Sequence, residues 1–111
     1  MQIRTETIDG TLIAYAAGRI DGSSALDFKR SMQAVLGDEN TVVVDCHKVT
    51  EVSSAGLSAF LLIARELQEQ GVKFALCCMA PRVRIVFEMT GFDKIIPVHA
   101  TRDGALDSLR D

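Results

Sequence analysis

Stretches with strand character alternate with stretches of helical spacing along this chain, and that alternation narrows the fold more than any other feature. The clearest strand is residues 41–46, Thr-Val-Val-Val-Asp-Cys, apolar on both faces as a central buried strand is. Residues 72–79 read as a second buried strand, and residues 94–98 as a short third one. At the start, Ile3, Thr5 and Thr7 alternate with Gln2, Arg4 and Glu6, and Asp9-Gly10 supplies a hairpin turn. Residues 11–17 form its second arm, ended or bent by Gly18.

Four helical segments separate or follow these strands. The first has Ala25, Phe28, Met32, Val35 and Leu36 along one face, with Ser23 or Ser24 as its cap and Gly37 as its stop. The second begins near Ser53 or Ser54 after a loop over residues 47–53. It carries Leu57, Phe60, Leu61, Ala64 and Leu67 on one side and closes at Gly71. Pro81 opens the third, lined by Val83, Val86 and Phe87, and Gly91 ends it. Thr101 caps a last helix with Ala105, Leu106 and Leu109. The predicted order is ββαβαβαβα. It implies one α/β domain over residues 1–111, a mixed sheet mostly parallel in its centre, with helices mainly on one side.

The 111 residues suit one domain with one modest core. A hydrophobic share of 48%, a charged share of 24% and a net charge of -3 are those of an ordinary globular protein. This charge gives no footprint for direct nucleic-acid binding. The polar start, Gln2 to Glu6, does not read as a signal peptide. The longest apolar stretches, residues 59–64 and 74–80, fall far short of the roughly 20 residues of a membrane span. The expectation is a cytoplasmic protein with no membrane span.

Three cysteines, Cys46, Cys77 and Cys78, make no disulfide framework. Adjacent residues of a strand point to opposite faces, so Cys77 and Cys78 are expected to be poor joint ligands for a metal. Cys46-His47 has no second pair at ligand spacing. No metal or cofactor is expected. Catalysis lacks support too: there is no phosphate loop, no dinucleotide fingerprint and no G-x-S-x-G elbow around Ser54, although His47 and Asp45 are near in sequence.

Val52-Ser53-Ser54-Ala55-Gly56-Leu57 is more informative. In the plain reading, Ser53 or Ser54 caps a helix and the small residues permit close packing. In the functional reading, a hydroxyl at the positive end of a helix accepts a phosphate without unfolding the chain. The added charge of about -1.5 to -2 would then repel a docked partner.

Residues 45–57, Asp-Cys-His-Lys-Val-Thr-Glu-Val-Ser-Ser-Ala-Gly-Leu, resemble the signature of STAS-domain anti-sigma factor antagonists. Upstream, Gly18-Arg19-Ile20-Asp21 resembles that family's turn before its first helix. Downstream, residues 83–96, with Val83, Val86-Phe87-Glu88-Met89-Thr90-Gly91-Phe92-Asp93-Lys94-Ile95-Ile96, resemble its third helix and last strand. The resemblance implies a STAS-like fold and a binding switch, not an enzyme. The partner it implies is an anti-sigma factor with serine kinase activity, which phosphorylates the antagonist and so releases it; a serine phosphatase resets the cycle. The phosphorylated position in the family corresponds to Ser54. Many members have Asp before that serine and Ser after it, where this chain has Ser53 and Ala55, which makes Ser53 a second candidate. Asp21, Gly22 and Ser23 resemble the neighbouring contact region, and with Ser53, Ser54 and Ser58 they form the expected docking surface. An alternative function is a standalone STAS regulatory or scaffold subunit of a transport, lipid-trafficking or signalling complex. The lack of a transporter segment or sensory domain favours the free antagonist. A hydrolase using Ser54 is a third class.

Overall fold

The computed structural model describes residues 3–110. Gln2, the first polar position of the predicted hairpin, lies outside the described residues, as do Met1 and Asp111. Five strands form one sheet in the order β1 (Arg4–Ile8), β2 (Thr11–Ile20), β3 (Thr41–Val52), β4 (Lys73–Cys77) and β5 (Val98–His99). β1 pairs antiparallel with β2, and every later pair is parallel. Helices α1 (Ala25–Val35), α2 (Ser54–Glu69), α3 (Pro81–Thr90) and α4 (Arg102–Ser108) connect or follow the strands. The expected α/β class, the element order and the mixed sheet are all present.

The hairpin closes as its sequence dictates. Asp9 and Gly10 take φ of 51° and 81°, the two positive values that a two-residue turn matched to strand twist requires.

The apolar stripes of α1, α2 and α3 meet one face of the sheet. Phe28, Phe60 and Phe87 come one from each helix and are fully buried. Their ring centroids lie 4.9 Å apart for Phe28–Phe60 and 5.5 Å for Phe60–Phe87. Burying each such ring is worth about 1.5–3 kcal/mol. The other face is thinner: Ala105 and Leu106 of α4 pack on Ile13, Val43, Ala75 and Cys77.

Three local expectations are corrected, and one open alternative is decided. Gly18, expected to end or bend β2, does not end it. It takes φ 81° inside the strand, where the register with β3 shifts twice, and pairing resumes to Ile20. Residues 47–52 are not a loop: they continue β3, because the extended end of β2 pairs with them from Ala17↔Lys48 to Ile20↔Val52. The strand predicted over residues 94–98 is a 3-10 turn, Phe92–Lys94, then the two-residue β5. That turn buries Ile96 and leaves Ile95 exposed. Finally, Ser24 occupies the cap position of α1 without capping it, since its hydroxyl serves the preceding turn.

Candidate functional site

The long ends of β2 and β3 deliver two turns to one edge of the molecule, residues 21–24 before α1 and residues 53–56 at the start of α2. The Ser53 N–H donates to the Ile20 carbonyl at 3.0 Å and ties them together. Gly56 permits this approach. A Cβ there would stand 2.1 Å from the Ile20 oxygen and 3.0 Å from its carbonyl carbon, and both are backbone atoms that cannot rotate aside. The glycine of the Gly-Leu pair is therefore a packing requirement.

Ser53 is the cap of α2. Its backbone is extended, and its hydroxyl accepts from the Gly56 N–H at 3.3 Å. Ser54 is the first helical residue and is exposed. Its hydroxyl has no hydrogen-bond partner among the described residues. The sequence left the cap open between the two serines; the structure gives it to Ser53 and leaves Ser54 free. The first turn of α2 carries no acidic residue, so its N-terminal partial positive charge is not offset from within the helix. Ser58 is exposed one turn along, its hydroxyl donating to the Ser54 carbonyl at 3.1 Å.

The facing turn is held by Asp21. Its Oδ1 accepts from the Ser23 hydroxyl at 2.7 Å, the Ser23 N–H at 3.0 Å and the Ser24 hydroxyl at 3.3 Å. The Ser24 hydroxyl also donates to the Arg19 carbonyl at 2.7 Å and accepts from the Asp21 N–H at 3.0 Å. These bonds, the Ser23 hydroxyl first, hold the Asp21 carboxyl below its ordinary range, with Arg19 adding a smaller share. Gly22 and Ser23 are exposed at the tip. All six residues expected at the docking surface thus belong to these two turns or to the first turns of α2. Sequence reasoning gave no role to Arg19 and Glu51, which pair at 3.1 Å across the ends of β2 and β3. Both stand inside the segments that resemble the family, but a lone charge at a strand end carries no spacing signal.

A family pattern for the STAS domain matches residues 2–105. The chain belongs to the STAS domain family. BtrV of Bordetella bronchiseptica, which carries the name of an anti-sigma factor antagonist, is 36% identical over 106 residues, covering 95% of this chain and 91% of that protein. The crystal structure of an anti-sigma factor antagonist from Mycobacterium paratuberculosis superposes with a TM-score of 0.88 at 28% identity, over 99% of this chain and 94% of that one. SpoIIAA in its unphosphorylated form shares the fold, with a TM-score of 0.74 at 22% identity over 97% of this chain and 96% of that one.

Elsewhere on this STAS domain, Asp45 is buried on the face covered by α4, and its Oδ1 accepts from the His47 N–H at 2.9 Å. His47 Nδ1 lies 2.7 Å from the same oxygen. The histidine is thus engaged along its own strand, and among the described residues it makes no bond to Ser53 or Ser54. The expectation that Cys77 and Cys78 face opposite sides of the sheet is corrected. β4 stops at Cys77, and Cys78 turns away with φ 65°. Asp45, Cys77 and Cys78 then bring their ligand atoms within 4.8 Å of one another. Burial pushes the Cys46 and Cys77 thiols up from their ordinary value. Among the described residues no helix is long and apolar enough to cross a membrane.

Proposed function

We infer that this STAS domain is an anti-sigma factor antagonist whose grip on its partner is controlled by phosphorylation of Ser54. The partner is an anti-sigma factor with serine kinase activity. In its unphosphorylated form the antagonist binds that factor and frees a sigma factor. The kinase then modifies Ser54, the complex parts, and a serine phosphatase restores the hydroxyl. The antagonist itself catalyses nothing in this cycle, and its place of work is the cytoplasm.

The observation that carries the reading is the exposed, unpartnered Ser54 hydroxyl on the first residue of α2, beside the turn built by Asp21. Ser53 is the poorer target, because its oxygen already caps the helix. A phosphate on Ser54 meets the free N–H groups of the helix start, so the fold tolerates it. The docked partner instead meets about two added negative charges on a surface formed by Asp21, Gly22, Ser23, Ser53, Ser54 and Ser58. Two further findings support the reading: the names of the relatives, and the fold shared with SpoIIAA of Bacillus, which is also known in a phosphorylated form (TM-score 0.67, 21% identity).

The test is a pull-down from native lysate with wild type, Ser54→Ala and Ser54→Asp as baits. Capture of one ATP-binding anti-sigma factor by wild type and Ser54→Ala, with loss in Ser54→Asp, is the expected result. Capture of the same membrane, lipid-trafficking or signalling subunits by all three baits would sink the switch and favour the scaffold function.

A further inference from the structure

We propose that Asp45, Cys77 and Cys78 form a binding site for a thiophilic divalent cation of the zinc or cadmium class. The inference uses no residue of the serine surface and stands apart from the switch. Three observations converge on it.

First, Asp45 and Cys77 are register partners on the parallel strands β3 and β4, so their side chains share one face of the sheet. Second, Cys78 follows directly and takes φ 65°, a left-handed conformation that is uncommon outside glycine, asparagine and aspartate. Such a conformation persists only where the surroundings hold it, and it is found disproportionately at functional positions. Here the Cys78 N–H donates to the His99 carbonyl at 3.1 Å, which fixes the turn. The turn keeps the second sulfur beside the first. Third, the carboxylate is oriented from behind. Both bonds from His47 go to Asp45 Oδ1, and Oδ2 has no hydrogen-bond partner among the described residues. Carboxylates that ligate a metal are themselves held by hydrogen bonds from outer groups, the part His47 would play here.

The donor set selects the cation. Two sulfurs and one carboxylate oxygen suit zinc or cadmium and disfavour magnesium or calcium, which take oxygen ligands. Zinc sits about 2.3 Å from sulfur and roughly 2.0–2.2 Å from carboxylate oxygen, so tetrahedral ligand atoms stand roughly 3.5 Å apart. The three atoms here lie within 4.8 Å, so binding needs a contraction of about 1 Å. Cys78 is only half-buried, so rotation of its side chain about Cα–Cβ supplies it while the backbone turn stays fixed. Each thiol gives its proton to solvent as its sulfur–metal bond forms, and water fills the fourth position.

The probe is cadmium chloride alone, added to the full chain purified reduced and metal-free. The expected result is an ultraviolet thiolate-to-cadmium charge-transfer band that saturates at one equivalent and is displaced by zinc. Cys78→Ser abolishes the band, while Cys46→Ala keeps it, because Cys46 packs with the core on the opposite face. Asp45→Asn and His47→Ala each weaken binding by about tenfold or more. Circular dichroism of every variant separates lost ligation from lost fold. Absence of the band in the wild-type chain, or an unchanged band in folded Cys78→Ser, overturns the proposal. Unchanged cadmium affinity in folded Asp45→Asn overturns the three-ligand site.

Discussion

Phe60 and Ser54 belong to the same helix and live in opposite environments. The Phe60 ring is fully buried between Phe28 and Phe87. Ser54 is exposed, and its hydroxyl touches no polar partner among the described residues. The core around Phe60 is held by area removed from water, which has no direction and does not depend on pH. The rim around Ser54 is held by a few directed bonds: Ser53 to Ile20, Ser53 to Gly56, and Asp21 to Ser23. Core packing resists change because it is shared among many contacts. A rim made of single hydrogen bonds is accurate in position but cheap to alter. The proposed switch, in which the surface accepts a phosphate and then loses a partner, suits a rim built that way. Gly56 joins the two regions: it faces the Ile20 carbonyl on the rim side and is followed by Leu57, which enters the core.

The largest effect that separates the regions is expected from Phe60→Ala. It removes the middle ring of three and leaves a cavity between α1, α2 and α3, at a cost of about 3–5 kcal/mol. The loss, read from urea unfolding, should be the same at every pH where the protein is folded. A cost under about 1 kcal/mol would mean that the helices close over the gap and that the core is less rigid than its packing implies.

The contrast between core and rim also explains what the sequence disclosed. Phe28, Met32, Phe60, Leu67, Val83 and Phe87 follow helical spacing because each must face the sheet, so the helices and their buried sides were legible. Residues 41–46 were equally plain, since a strand covered on both faces has no polar position to confuse it. Residues 47–52 were not. Their exposed His47, Lys48, Thr50 and Glu51 read as a loop, and only pairing with the extended end of β2 keeps them in the sheet. Such pairing is a long-range fact that local pattern does not carry. Ile95 and Ile96 misled in the opposite sense: two apolar neighbours suggested a strand, yet the chain buries one and exposes the other. Cys77 and Cys78 were separated by the alternation rule, which fails because the strand has already ended. The serine segment could be found from the sequence because its small residues stand at a helix start. Which serine caps and which is free depended on backbone angles the sequence does not display.

On the rim the effects should be smaller, and they should differ between neighbours. Ser53→Ala removes the cap of α2 and is expected to cost about 1 kcal/mol. Ser54→Ala removes no bond and is expected to stay within about 0.5 kcal/mol of wild type. Thermal unfolding of the two variants side by side reads the difference. If Ser54→Ala is the more costly, the hydroxyl is a structural group, and the division of labour between the two serines is reversed.

The smallest effect is one of pH, and its sign follows from Asp21. The Ser23 hydroxyl and N–H stabilise the charged carboxylate, so its folded value lies below the ordinary 3.8. A depressed carboxyl contributes stability that is fully present above 3.8 and is lost as the pH falls through that value and then through the folded one. Wild type should therefore exceed Asp21→Asn in stability at neutral pH, and the gap should narrow as the solution is taken below pH 3.8. The Phe60→Ala deficit, measured in the same series, should not narrow, because no charge is involved. A gap for Asp21→Asn that stays constant through the acid range would mean that the turn is held by the shape of its hydrogen bonds alone. The rim would then resemble the core in its indifference to pH, and the charge of Asp21 would be left for the partner to read.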